Sequence, residues 1–160
     1  MIFSAPLFDT DHTCAVTGHR TLSGDFDEVK TENIFISLIE QGYNNFLIGM
    51  AIGFDTACFK ILEKIRNTKP IKITACIPCI SQATKFTFRQ RVEYEKMLLS
   101  ADDKIYVCKE YNSRCMFLRN MFMVDNASVL VAYLNKDKGG AFNTVNYAKR
   151  KDKKIIFVNK

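Results

Sequence analysis

Short apolar runs, each closed by glycine, proline or a polar cluster, recur along the chain and alternate with longer stretches whose apolar positions repeat at helical spacing. The runs 13–17, 45–49, 71–77, 104–108, 128–133 and 154–158 predict six strands. Between them, helices are predicted over 26–42, 54–66, 85–99, 114–125 and 141–151. In the first, Val29, Ile34, Phe35, Leu38 and Ile39 recur roughly at helical spacing, and Gly42 reads as its C-terminal cap. In the second, Ala57, Cys58, Ile61, Leu62 and Ile65 form the buried face. Pro70 breaks the chain before the third strand, and Pro78, which has no N–H for a ladder, ends it. The first eleven residues have no period and are expected to form an N-terminal arm.

Continuous apolar strands separated by helices imply a parallel sheet covered on both faces. The expectation is a Rossmann-like, doubly wound α/β fold with a mostly parallel sheet of about six strands and helices on both faces. Right-handed crossovers then bring ligands to the carboxyl ends of the strands. At 160 residues, without repeats or low-complexity segments, a single domain over 1–160 is expected.

Composition narrows the classes. No apolar run reaches the ~18 residues of a membrane span, and the N-terminus lacks a basic n-region, so a cytoplasmic protein is expected. The net charge of +6 permits a polyanionic partner without requiring one. The densest basic run, Lys149–Lys154, falls at a predicted helix end, where cations match the helix dipole. Six cysteines (Cys14, Cys58, Cys76, Cys79, Cys108, Cys115) lie mostly in apolar runs and read as reduced core thiols. Cys76-Ile-Pro-Cys79 has redox or half-zinc spacing, but no second pair accompanies it and His12 and His19 lie far upstream. No metal is expected.

The fold rule gathers several loops on one rim: Thr17-Gly18-His19-Arg20, Gly49-Met50-Ala51-Ile52-Gly53-Phe54-Asp55, Pro78–Gln82 and Leu134–Thr144. Arg119 and Asn120 lie on the helix whose start faces the same rim. Glycine-rich strand-to-helix turns let backbone approach a ligand, and the helix starts favour anions. Such a set suits a nucleotide or a nucleotide-like sugar phosphate.

In their order, Thr17–Arg20, Gly49–Asp55, Ile77–Gln82, Arg119–Asp125 and Gly139–Ala148 resemble the motifs of the SLOG superfamily (the SMF/DprA and LOG proteins), most closely its YpsA-like branch of small bacterial and phage proteins. The likeness spans nearly the whole chain beyond the first dozen residues, and it makes Cys79 incidental to metal binding. It implies a nucleotide-type ligand, sensed or sequestered as a signal, with no other cofactor required. The implied site comprises Thr17, Gly18, His19, Arg20, Gly49, Met50, Gly53, Asp55, Gln82, Arg119, Asn120, Gly139, Gly140 and Thr144. In it Arg20 and Arg119 neutralise phosphate by forked contacts, Asp55 accepts ribose hydroxyls, Thr17 and Thr144 donate to phosphate, and His19 orients the ligand.

Two other functions follow from relatives. LOG-type members are N-glycosidases that cleave nucleoside 5'-monophosphates with an Arg similar to Arg119 and a Glu that here looks like Asn146. An amide supplies no acid or base, so Asp55 and Asp125 are the replacement catalytic candidates beside Arg119. DprA-type members bind single-stranded DNA, and Phe86, Phe88, Arg89 and Arg91 form an interleaved aromatic–basic stretch, although aromatics two apart on a helix face different ways. Nucleic acid is the less expected partner. A homo-oligomer is compatible with the fold, but no segment marks an interface, and no membrane partner is expected.

Overall fold

The computed structural model describes residues 8–160. Six strands, β1 (Thr13–Gly18), β2 (Asn45–Ile48), β3 (Lys72–Ile77), β4 (Asp103–Tyr106), β5 (Val129–Tyr133) and β6 (Lys154–Phe157), form one sheet in the order β4-β3-β2-β1-β5-β6. Every neighbouring pair is parallel. The connecting helices are α1 (Glu28–Glu40), α2 (Phe54–Arg66), α3 (Phe88–Ser100), α4 (Cys115–Asp125) and α5 (Gly140–Arg150). The expected Rossmann-like α/β architecture is the one observed.

The alternation of side chains along each strand divides the core in two. Cys14, Val16, Phe46, Ile48, Ile73, Ile77, Val131 and Tyr133 pack with residues of α1, α2 and α3. Ala15, Leu47, Cys76, Leu130 and Ala132 face the other way, against α4 and α5. Strand β4 departs from the fully covered picture: as an edge strand it leaves Asp103, Lys104 and Tyr106 exposed.

Helix ends follow local chemistry. Helix α1 starts at Glu28, two residues later than predicted, because Asp27 caps it by accepting the Lys30 N–H. Its C-terminus closes with Gly42 N–H donating to Ile39 O and Tyr43 N–H to Leu38 O, the paired bonds of a Schellman motif. The predicted helix from 85 to 99 is in fact two pieces, because Thr87 and Gln90 make a capping box. A 3-10 turn, Gln82–Lys85, precedes it, and Phe86 packs edge-on against Tyr94 while Phe88 is 84% exposed. The basic run does sit at the end of α5, with Arg150 and Lys151 near the Tyr147 ring. Residues 1–7 of the expected arm lie outside the described residues; beyond them Thr10–His12 is a 3-10 turn and Phe8 meets Phe122 edge-on.

The chain runs outward from β1 through β2 and β3 to β4, then returns to the far side of β1 for β5 and β6. Helical crossovers therefore diverge beyond the carboxyl ends of β1 and β5, which opens a crevice there. Among the described residues no helix is long and apolar enough to cross a membrane.

Candidate functional site

A cavity of about 270 Å³ occupies that crevice. The β1 end and the loop after it contribute Thr17, Gly18, His19, Arg20 and Thr21; the loop after β2 contributes Gly49, Ala51 and Asp55. Helix α4 adds Met116, Arg119, Asn120 and Met123, and the approach to α5 adds Lys136, Gly139, Gly140 and Ala141. Loops from four separate parts of the chain thus converge on one rim.

The loops are held by backbone-to-backbone approach. Gly53 has φ +86 and ψ −122, and a Cβ there would lie 2.2 Å from Arg20 O. Phe54 N–H donates to His19 O at 3.1 Å, which locks the two loops together. The phenol of Tyr133 donates to Asp25 Oδ1 at 2.6 Å, Ser23 Oγ donates to the same oxygen at 2.8 Å, and Asn159 donates to Asp25 Oδ2 at 3.1 Å. These bonds hold the Asp25 carboxyl down at about 2 and clasp the β1–α1 loop to the end of β5.

The floor holds a buried guanidinium and a buried carboxylate. Arg119 is 5% exposed and Asp55 7%. Arg119 Nη1 donates to Gly49 O and, at 3.3 Å, to Cys76 O; Nε donates to Asn120 Oδ1 at 2.8 Å. Asp55 Oδ2 accepts the Ala51 N–H at 3.1 Å. Between them stands Gly49, where an added Cβ would lie 2.9 Å from Arg119 Nη1 and 3.0 Å from Asp55 Oδ2. Burial pushes the Asp55 carboxyl up to about 6, with Arg119 and then the Ala51 N–H and Arg20 opposing. Burial pulls the Arg119 guanidinium down, and Asp55 works against that.

His19 is buried, and among the described residues its Nε2 has no hydrogen-bond partner. Burial and then Lys136 lower its pKa, so the ring is neutral near pH 7. Beside it, α5 begins at Gly139 and Gly140 with no side-chain cap, leaving its first N–H groups to whatever enters the cavity.

Several expected site residues act elsewhere. Gln82 is buried with Nε2 on Gly49 O at 2.9 Å and Oε1 accepting the Tyr94 hydroxyl, so it supports the cavity wall without lining it. Thr144 donates to Gly140 O at 2.7 Å within α5. Met50 and Gly53 face a second, more apolar cavity on the α2–α3 side. Asp125 accepts the Tyr147 hydroxyl at 2.8 Å and approaches Lys151 at 3.9 Å, away from the cavity and from Arg119. Six residues at 100° each place Asp125 well round α4 from Arg119, a phase legible from sequence. By the same count Met116 and Met123, three before and four after Arg119, share its face and line the cavity, as does Lys136 from the loop before α5; none of the three belongs to the implied site.

The pH dependence of the floor has a definite sign. Asp55's folded pKa lies above the usual 3.8, so the folded chain binds the extra proton, and stability falls as pH rises from about 4 through about 6. The wild type is expected to lose on the order of 2–3 kcal/mol between pH 4 and 7 through this group. Urea titrations of wild type and Asp55→Asn across that range test it: the variant lacks that part of the slope, and parallel profiles contradict it.

A parallel α/β sheet with its polar cavity at the β1/β5 switch point defines a Rossmann-like protein, and the match extends to solved structures. DNA processing protein A (DprA) from Streptococcus pneumoniae superposes with a TM-score of 0.65 at 16% identity, over 92% of this chain and 50% of that one. DprA from Helicobacter pylori, studied for its single-stranded DNA binding mode, gives 0.64 at 15% identity, over 93% and 66%. The chain thus spans about half to two thirds of the DprA chains. The family model described as the YspA SLOG family matches residues 28–159, and the chain belongs to that family. Among individual proteins, it is 29% identical over 126 residues to the uncharacterized SPbeta prophage-derived protein YoqJ of Bacillus subtilis (71% of this chain, 74% of that one). A UPF0398 protein of Halalkalibacterium halodurans is 23% identical over 133 residues (81% and 70%).

Proposed function

We propose that this SLOG-family chain binds one nucleotide or nucleotide-derived molecule in the β1/β5 cavity, sensing or sequestering it as a signal. The observation that carries the reading is the orphaned His19 Nε2 in a cavity that also holds the uncapped start of α5, Arg20 and Lys136. A buried ring nitrogen without a partner is costly, and a polar ligand group relieves that cost. Phosphate suits the α5 amides and Arg20; ribose hydroxyls suit the Asp55 carboxylate. The cavity volume, near the lower end of the ~300–1,000 Å³ typical of ligand sites, fits one nucleotide better than a run of strand.

Isothermal titration with the four nucleoside 5'-monophosphates tests this. Arg20 is exposed, so its removal leaves the core intact. Arg20→Ala is expected to weaken binding tenfold or more, about 1.4 kcal/mol, at unchanged Tm. Equal affinity in both proteins contradicts the site.

A second reading, N-glycosidase action on the same ligand, draws on one observation. Among the described residues Asp55 is the one carboxylate that lines the cavity, and burial raises its pKa to about 6, near neutrality, where an acid–base group operates best. Incubation with AMP decides it: release of adenine that Asp55→Asn abolishes supports turnover, and intact AMP leaves binding as the function. Single-stranded DNA binding has less support, since exposed Phe88 and its neighbour Arg89 lie on α3, apart from this cavity.

A further inference from the structure

The Cys76-x-x-Cys79 spacing suggests a pair within one loop, but the sulfur beside Cys79 belongs to Cys115, on α4. The two Sγ atoms are 3.7 Å apart, both thiols are free, and both residues are buried. We propose that Cys79 and Cys115 are an oxidation site, converted by a peroxide to a reversible disulfide that tightens the Gly49 wall of the cavity.

The placement carries the proposal. Cys79 lies three residues before Gln82, and Cys115 one helical turn before Arg119. Gln82 Nε2 and Arg119 Nη1 both donate to Gly49 O. A bond between the two sulfurs therefore ties together the two segments that grip one carbonyl. The sulfurs must close to about 2.05 Å, roughly 1.6 Å of travel shared by two side chains at the start of a helix and in a loop. In the first step one thiolate attacks the peroxide, its S–O bond forming as the O–O bond breaks, and water leaves once the departing oxygen is protonated. The second thiol then attacks that sulfenic sulfur, the S–S bond forms and a second water leaves. Two thiols lose two electrons and two protons in all, and hydrogen peroxide becomes two waters. Burial raises the Cys115 thiol, which slows the first step and confines it to moments when the start of α4 opens.

Treatment of the purified chain with hydrogen peroxide, followed by intact-mass and peptide mapping, tests this without any ligand. The expected result is a loss of about 2 Da, a linked Cys79–Cys115 peptide pair and full reversal by dithiothreitol. The oxidised form should show a Tm higher by about 5 °C or more and slower amide exchange at Ala51. Cys115→Ala should abolish the cross-link, and Cys108→Ser, a change at a half-exposed thiol, should keep it. A link through Cys108 or Cys76, oxidation that stops at Cys108, or a Cys79–Cys115 link with unchanged Ala51 exchange would each overturn the proposal.

Discussion

Gly53→Ala is expected to cost at least about 4 kcal/mol of stability, placing it among the exceptional single substitutions. Two independent effects add. The added Cβ meets Arg20 backbone atoms at 2.2 Å (O), 2.4 Å (C) and 2.6 Å (Cα), and backbone has no rotamer by which to step aside. The φ of +86 with ψ −122 lies where an L side chain is strained by about 1–3 kcal/mol before any clash. Relief requires the His19–Arg20 backbone to move away, which breaks the Phe54-to-His19 bond and releases His19 and Arg20 from the cavity. Urea unfolding by circular dichroism reads the loss. A cost under about 1 kcal/mol would mean that the two loops do not touch as described.

Arg119→Met is expected to lose about 3–5 kcal/mol at pH 8, because two buried carbonyls lose a charged donor and the buried Asp55 carboxylate loses its largest opposing charge. Methionine keeps much of the volume, so the loss reports charge and hydrogen bonds more than packing. The guanidinium's bonds to the Gly49 and Cys76 carbonyls disappear, and the buried Asp55 carboxylate keeps only the Ala51 N–H and the more distant Arg20. Without Arg119, Asp55's pKa climbs further above 3.8, so its protonated form dominates over a wider acidic range. The deficit relative to wild type is therefore expected to shrink as pH falls from 8 towards 5. Stability measured at both pH values checks this, and a deficit independent of pH would show that Arg119 acts through its hydrogen bonds and packing and not through the Asp55 charge.

Much of this arrangement was legible in the sequence, for physical reasons that differ by residue. The central strands stand out because they are apolar on both faces, and the rim follows from the parallel topology they force. Thr17–Arg20, Gly49, Asp55, Arg119, Gly139 and Gly140 do meet at one cavity. What escaped was set by long-range contact or by helix phase. Gln82 reaches Gly49 across 33 residues, and Cys115 reaches Cys79 across 36, separations on which periodicity is silent. The Tyr133–Asp25 clasp spans 108 residues and is equally invisible along the chain. The place of Asp125, by contrast, is legible in the sequence, since its turn around α4 separates it from Arg119 and leaves it to Tyr147. The Thr87–Gln90 capping box was likewise written in the sequence, and it splits a segment that charge pattern alone made continuous.

The most direct test uses Gly140, where a side chain has room: the nearest atom to an added Cβ is Asn120 Nδ2 at 4.0 Å. An aspartate there sits at the first turn of α5, where a carboxylate favours the helix and Tm holds or rises slightly, yet it occupies the place assigned to phosphate. Mass spectrometry of small molecules released on denaturing the purified wild type and Gly140→Asp proteins is the decisive measurement. The expected result is a phosphate-bearing nucleotide or derivative in the wild type and at least a tenfold loss of it in the variant. No such compound in the wild type, or equal amounts in both, would contradict the cavity as a nucleotide site.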